Sequence, residues 1–459
     1  MGYDYDITVL GGGPGGYAAA IKAAKEGKKV CLVENAELGG VCLNEGCIPT
    51  KTLIKTANAY RSVLHAADFA VEGVDPAKIK VSMKKLQERR AAVVSQLTGG
   101  VKGLLRGNKV DFVKGMAKFV DAHTVTAGEK KISSEYFIIA TGSVAFMPPF
   151  IAQEGKNNII TSREALLLEE IPKSIAIIGG GVIGIEFAYL FGALGSQVTV
   201  LELMDNILPM VDEEISGLAR KQMEKSGVTF HTGARVSKVK DNGVFFESKG
   251  KEQSVTADLV LMAVGRLPNT EGLGAKELGI AFDKNAVITD EYMRTNIANI
   301  YAIGDVNGKV MLAHTASAEG FVAVDNICGK VDRMRYDRIP SCIYLEPEIA
   351  SIGLTEKQAR EQYTDVKVGK FPMAGNGKSL VEGDQSGLVK VIIDGRLGEI
   401  LGVHLCGSHV TEMIAEIALA MNLEASAGEI MASIHPHPTI SESIPEAFMA
   451  AYGKAIHWL

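Results

Sequence analysis

No apolar run in the chain approaches the ~18 residues that a membrane-spanning helix needs. No long block of one charge sign occurs, and the net charge is only −6. Neither nucleic acid nor an anionic membrane is therefore indicated as a partner. The amino terminus, MGYDYDITVL, carries acids where a secretory leader carries bases. Gly2 would suit myristoylation, but Asp6 stands where that motif needs Ser or Thr. Cysteine is scarce, with six in 459 residues, which is no disulfide scaffold. Cys31, Cys328, Cys342 and Cys406 stand alone and read as small core residues. Only Cys42 and Cys47 are close, and no second close pair, His or Asp accompanies them, so no metal site is expected. Proline is modest at 14 residues while glycine reaches 50, a balance that favours tight turns over disordered linkers. What these absences leave is a soluble intracellular protein, expected in the bacterial cytoplasm, with a mature organellar form still open. The length suggests about two to four domains, and 47% hydrophobic with 22% charged residues fits a well-cored chain.

One pattern occurs twice. YDITVLGGGPGG is an apolar run closing on Gly11, Gly13 and Gly16, followed by an alanine-rich helical stretch and the strand-like VCLVE ending at Glu34. IAIIGGGVIG closes on Gly179, Gly181 and Gly184, followed by IEFAYLFGALG and VTVLE ending at Glu202. Each acid lies 23 positions after its first glycine (34 − 11 and 202 − 179). A lone GxGxxG is weak evidence, but two copies in matched strand–helix–strand context are strong. The first glycine makes the tight turn, the second admits a pyrophosphate, and the third lets helix and strand pack closely. The helix N-terminus offers free N–H groups to the phosphates, and the acid accepts from ribose hydroxyls.

Further segments support two dinucleotide sites. YFIIATGS, with Thr141, Gly142 and Ser143, and DLVLMAVGRLPN, with Gly265, are buried strands ending in small residues. TNIANIYAIGD is a strand-like run ending in Gly304 and Asp305, and an Asp there suits a polyol, or else a turn or helix cap. Leu203 and Met204 follow Glu202, so no cation waits for a 2′-phosphate and the second site favours NAD over NADP. Two such sites beside a cysteine pair suggest a nicotinamide exchanging hydride through a flavin.

The stretch GGVCLNEGCIPTK leaves Cys42 and Cys47 open as a redox pair, half a metal site, or core. Five positions at ~100° per residue do not share one helical face, so two cysteines that meet there require a distorted helix, which the glycines and Pro49 allow. The carboxy-terminal HPHPTISE places His437 five residues before Glu442. A histidine oriented by a carboxylate suits proton transfer near neutral pH, whereas a proline-stiffened turn would explain the same residues without chemistry. His435 reads as structural.

Together these segments resemble the FAD-dependent pyridine nucleotide-disulfide oxidoreductases over essentially all 459 residues. The resemblance implies an α/β fold of two Rossmann-like domains, for FAD and NAD, plus a C-terminal α+β dimerisation domain. It divides the chain into residues 1–145 for the first part of the FAD domain, 146–268 for the NAD domain, 269–335 completing the FAD domain, and 336–459 for dimerisation. It implies a Cys42–Cys47 redox disulfide, with Cys47 against the flavin and Cys42 meeting the substrate. It places Lys51 near the flavin, paired with Glu186, and makes His437, oriented by Glu442, the base supplied across a homodimer. FAD would be held by Gly11, Gly13, Gly16, Glu34, Lys51, Thr141, Gly142, Ser143, Gly304, Asp305 and Ala313; NAD by Gly179, Gly181, Gly184, Glu202 and Gly265.

The implied activity is oxidation of protein-bound dihydrolipoamide to lipoamide with reduction of NAD+. The implied partners are lipoyl domains of a multienzyme complex or a glycine-cleavage carrier, with no nucleic acid and no membrane. The alternatives are another NAD(P)H-dependent disulfide reductase or a mainly structural docking component. The chain departs from the family pattern at Val41, usually Thr, and at Glu45, usually Val. Glu45 puts a carboxylate between the cysteines and is expected to raise a thiol pKa if close and poorly solvated.

Overall fold

The computed structural model describes residues 2–155 and 158–458. Its first sheet has a parallel core in the order Asp111–Lys114, Val30–Glu34, Tyr5–Leu10, Lys130–Ile139, Ile300–Ala302. Ile7 is registered between Val30 and Tyr136, and Phe137 against Ile300. Tyr5–Leu10, Val30–Glu34 and Ile300–Ala302 are largely buried apolar runs because both faces are covered, as parallel sheets require, whereas the edge strand Asp111–Lys114 buries only Val113. Ile7, Val9, Leu32 and Ile138 are fully buried, and each contributes roughly 1.5–3 kcal/mol by leaving water. Ala117–Asp121 and Thr124–Ala127 extend Lys130–Ile139 as an antiparallel meander.

Four helices precede the meander: α1 (Pro14–Lys25), α2 (Gly40–Asn44), α3 (Cys47–Leu64) and α4 (Met83–Gly107). A short α5 (Ser162–Ala165) then leads into a second sheet. Its order is Thr229–His231, Gln197–Leu201, Ser174–Ile178, Leu259–Met262, Ile159–Ile160, all parallel. The two sheets repeat one topology but differ at the outermost strand. The first sheet takes that strand from far downstream, the second from just upstream. Helix α6 (Val182–Ala193) follows the second glycine turn and α7 (Glu213–Lys225) follows the strand that ends at Leu201. Helix α6 is apolar nearly all round because the sheet covers one side and α3 the other. Leu53 and Ile54 of α3, Phe187 and Tyr189 of α6, and Leu345 and Cys406 of the C-terminal unit share one core.

Helix α8 (Ala313–Ile327) returns to the first sheet and lies against α1. The approach is close enough to demand glycine on both sides. A Cβ on Gly15 would lie 2.8 Å from the Ala316 carbonyl, and one on Gly320 3.0 Å from the Gly15 carbonyl. The run expected as a strand over residues 295–305 is a strand only at Ile300–Ala302. Ahead of it the Thr295 hydroxyl accepts from the Ile297 N–H and donates to the Ile300 carbonyl, a local pairing that competes with extended structure.

The C-terminal unit is a five-stranded antiparallel sheet, in the order Ser341–Ile343, Glu348–Gly353, Ile400–Gly407, Leu388–Asp394, Val366–Pro372, packed by helices that include Val410–Asn422. The expected hairpin across DGRLGE joins Leu388–Asp394 to Ile400–Gly407. This unit is fastened to the second by a buried charge cluster. The Lys390 ammonium lies 2.9 Å from Asp212, the N-cap of α7, 3.2 Å from Glu214 and 2.8 Å from Glu356. Among the described residues no helix is long and apolar enough to cross a membrane.

Candidate active site

The two glycine turns are built alike, atom for atom. Gly11 has φ +117° and Gly179 φ +111°, values that favour glycine. A Cβ on Gly11 would meet the Ala140 carbonyl at 2.1 Å, and one on Gly179 the Ala263 carbonyl at 2.4 Å. A Cβ on Gly16 would fall 1.9 Å from the Gly11 carbonyl, and one on Gly184 2.0 Å from the Gly179 carbonyl. Glu34 accepts from the N–H groups of Gly12 (2.7 Å) and Ala36 (2.6 Å). Glu202 accepts from those of Gly180 (2.5 Å) and Met204 (2.7 Å). Each carboxylate oxygen thus takes one backbone N–H and keeps a lone pair for a ribose hydroxyl.

Helices α1 and α6 begin at these turns with Gly13 and Gly181 as N-caps that offer no side-chain acceptor, so their first N–H groups stay free. In the first turn Gly40 closes on Gly13: a Cβ on Gly40 would lie 2.7 Å from the Gly13 Cα. These cradles and carboxylates fit two dinucleotides.

Between the cysteines the helix is broken, as their spacing requires. Helix α2 ends at Asn44, Glu45 and Gly46 leave helical geometry, and Cys47 is the first residue of α3. None of the six cysteines is joined to another in the structure. The Cys42 thiol donates to the Cys47 sulfur, which holds the Cys47 pKa below that of an ordinary thiol, and the Lys51 ammonium assists against burial. The same bond, with burial, pushes Cys42 far up. A helix N-terminus and a cation are the setting in which thiolates form. By contrast, burial raises Cys31 and Cys406 to about 12 and Cys342 to about 11, and these thiols are inert core residues.

Lys51 and Glu186 meet across the two nucleotide units. The ammonium donates to both carboxylate oxygens at 2.8 and 2.7 Å. Tyr344 completes the group: its ring lies 4.8 Å from the ammonium, and its N–H donates to Glu186 at 3.1 Å.

A second polar chain runs through Asp305. Ser143 donates to its carboxylate at 2.5 Å and accepts from the Arg266 Nε at 2.7 Å, while Arg266 Nη2 donates to the Ser143 carbonyl. Behind the turn, the buried Glu319 accepts from the Gly304 N–H (2.5 Å) and the Tyr336 hydroxyl (2.7 Å). The Thr141 hydroxyl donates to the Asn269 carbonyl and the Asn269 N–H to the Gly142 carbonyl, which ties ATGS to GRLPN. Gly265 and Gly142 both take positive φ, and Ala313 opens α8.

His437 and Glu442 are joined as expected, the ring Nδ1 lying 2.9 Å from the carboxylate. Burial alone would raise the Glu442 carboxyl, yet the Thr439 N–H and the His437 ring outweigh it and hold it low. With a proton on Nδ1, the His437 Nε2 is left as a base on a side chain that is 79% exposed. His435 is only 8% exposed and bonds Glu416, which suits a structural residue. Among the described residues, no hydrogen bond or ion pair links His437 or Glu442 to the cysteine loop of the same chain.

Sequence reasoning gave no role to Arg266, Glu319 or Tyr344. Arg266 carried a signal, directly after Gly265 in a quoted motif. Glu319 and Tyr344 carried none, since their partners are remote in sequence. The expectation for Glu45 is amended: its carboxylate is turned to Arg163 of α5, 3.1 Å away, while the charged side chains acting on Cys47 are Lys51 and Glu186.

A two-unit nucleotide fold meeting at a thiol pair defines a class of redox enzyme, and comparison with known proteins gives the same class. Residues 5–320 match the family model "Pyridine nucleotide-disulphide oxidoreductase" and residues 339–448 match its dimerisation domain. The chain belongs to this family. A dihydrolipoyl dehydrogenase of Bacillus subtilis is 41% identical, covering 98% of this chain and 99% of that protein. One of Zymomonas mobilis is 40% identical over the whole of both chains, and the mitochondrial one of Pisum sativum 40% over 98% and 92%. Among solved structures, the HOCl-induced flavoprotein disulfide reductase RclA from Escherichia coli superposes with a TM-score of 0.85 at 29% identity, covering 97% and 99%.

Proposed function

We propose that the chain is a dihydrolipoyl dehydrogenase, which oxidises protein-bound dihydrolipoamide to lipoamide and reduces NAD+ to NADH. The observation that carries the reading is the Cys42–Cys47 pair at the N-terminus of α3, its Lys51 bonded to Glu186 of the neighbouring unit. The full-length likeness to dihydrolipoyl dehydrogenases supports the substrate. In this reading residues 1–145 with 269–335 hold FAD, 146–268 hold NAD, and 336–459 form the contact between two copies. The lipoyl dithiol comes from a multienzyme complex or a glycine-cleavage carrier, and the enzyme works in the cytoplasm.

His437 of one copy serves the cysteines of the other. Its Nε2 takes a proton from the substrate dithiol, whose thiolate attacks Cys42 and breaks the S–S bond, and Cys47 leaves as a thiolate. Cys42 leaves with the proton held by His437, and the second substrate thiol, closing the lipoamide ring on the first sulfur, gives its own proton to the freed Nε2, which releases it to solvent. Thiolate attack on the more accessible sulfur suits this division. FAD, held by the first glycine turn, Glu34, Lys51 and the Ser143–Asp305 pair, would take the electron pair and deliver hydride to NAD+. Lys51 favours the Cys47 thiolate, and Glu186 keeps that cation in place.

Anaerobic mixing of the flavin-loaded protein with dihydrolipoamide tests this. A long-wavelength absorption band, followed by NADH on addition of NAD+, is the expected result. A band with NADH but none with dihydrolipoamide would overturn the substrate, and no band with either would overturn the role of the cysteines.

A further inference from the structure

His437 stands on an exposed loop, so whatever holds that loop decides where the base arrives. Ile440 anchors it by burial in the core of the C-terminal unit. A polar anchor is Asn376, 5% exposed and the N-cap of the short helix Gly377–Glu382. Its side-chain oxygen accepts from the Ser379 N–H at 2.9 Å, and its Nδ2 donates to the Thr439 carbonyl at 3.0 Å. The Thr439 N–H donates to Glu442 Oε2 at 2.8 Å, and Glu442 Oε1 lies 2.9 Å from the His437 Nδ1. One residue, Thr439, thus links a buried amide to the carboxylate that orients the base.

The platform under Asn376 is packed on every side that the chain supplies. Phe371, Met373 and Ser379 are buried. Gly375 is wedged between two rings: a Cβ there would lie 3.0 Å from Phe371 and 3.2 Å from Trp458. Both partners of the Asn376 side chain are backbone groups, and they ask for opposite things. Ser379 offers an N–H and needs an oxygen, while Thr439 offers a carbonyl and needs a donor. A carboxamide serves both where a carboxylate cannot. Aspartate would keep the helix cap but set an oxygen against the Thr439 carbonyl.

We infer that Asn376 is a positioning residue for the base, holding Thr439 so that Glu442 and His437 are presented to the cysteines of the other copy. The inference rests on the proposed reading of His437 as the group that takes the dithiol proton. Proton transfer depends on placement, and a shift of about 1 Å can cost on the order of a hundredfold in rate. Without the Asn376 donor the base is still present, but its supporting shell is loosened. Hydride exchange between NADH and the flavin takes no proton from a dithiol. It does not need His437, and so does not need Asn376.

The test compares flavin-loaded wild type, Asn376→Asp, Asn376→Ala, His437→Gln and the double variant Asn376→Asp with His437→Gln. In one series dihydrolipoamide reduces the flavin anaerobically, followed by stopped-flow absorbance. In the other, NADH reduces the flavin and two ferricyanide ions take the electron pair. Asn376→Asp and Asn376→Ala are each expected to slow reduction by dihydrolipoamide about tenfold at neutral pH, with NADH–ferricyanide turnover and the size of the dimer unchanged. The deficit narrows as pH climbs through the ordinary thiol pKa of ~8.5, where the dithiol ionises without help. In the His437→Gln background Asn376→Asp adds no further loss, because it acts through the base. Equal slowing of both series, a deficit constant with pH, a full further loss in the double variant, or an Asn376→Ala that matches wild type overturns the inference. A wild type that dihydrolipoamide does not reduce, or a His437→Gln that keeps the wild-type rate, overturns the reading of the site itself, and the inference with it.

Discussion

The two nucleotide units share their turns but not their surroundings. Gly12 and Gly180 donate to the same atom of Glu34 and Glu202, and Gly16 and Gly184 lie against the same carbonyl one turn earlier. Around the first turn, however, Gly40 presses on Gly13, Leu38 lies against Gly12, and Ala316 of α8 faces Gly15. Around the second, nothing lies within 4 Å of a Cβ built on Gly181, and Leu203, Met204 and Met210 are exposed. One phosphate-binding turn therefore serves two ends. Packed under a loop and a returning helix it suits a group that stays, and left open it suits one that exchanges. The difference lies in what the chain folds over each turn, not in the turn.

The hardest blow to this comparison is the same substitution in both places. Gly16→Val is expected to abolish flavin-retaining protein, since its Cβ would lie 1.9 Å from the Gly11 carbonyl. Gly184→Val is expected to keep the flavin and its reduction by dihydrolipoamide while losing NAD+ reduction. Flavin content and stopped-flow absorbance check both, and loss of flavin from Gly184→Val would break the independence of the two turns.

Next in size is the fastening of the second unit. Lys390→Met leaves Asp212 buried without its cation and should cost about 3–5 kcal/mol, read as a lower denaturation midpoint. A smaller effect separates the ribose carboxylates. Glu202→Gln disturbs hydrogen bonds worth about 1.5–3 kcal/mol and should raise KM for NAD+ roughly ten- to a hundredfold. Glu34→Gln should instead show as flavin lost on dilution. Smallest is Lys51→Met, which joins the two units. The thiolate of Cys47 loses a cation, so its pKa rises, and its alkylation at a fixed pH on the rising limb slows. In the wild type that limb lies below the ordinary thiol range, because Cys47 is held low by Cys42 and Lys51.

What the sequence made legible was whatever backbone crowding dictates. Gly11, Gly16, Gly179 and Gly184 are forced by contacts of one strand and one turn, so they repeat at fixed spacing. The Cys42–Cys47 spacing likewise required the helix break that Glu45 and Gly46 supply. His437 and Glu442 were legible because they are neighbours in the chain. Illegible were pairings made by tertiary packing: Glu45 with Arg163, Glu319 with Gly304, and Lys390 with three carboxylates from two other elements. No local pattern marks such partners. The strand over residues 295–299 was misjudged because Thr295, a residue common in strands, satisfies its own backbone there.

The outermost strands of the two sheets carry a consequence for the order of assembly. The second sheet is closed by Ile159–Ile160, so all its strands have been synthesised once Met262 is made. The first sheet, though it begins at Tyr5, waits for Ile300–Ala302 and for the helix that ends at Ile327. On a growing chain the unit that starts later is complete earlier, and the one that starts first must hold its buried face unfinished until the other has formed within it.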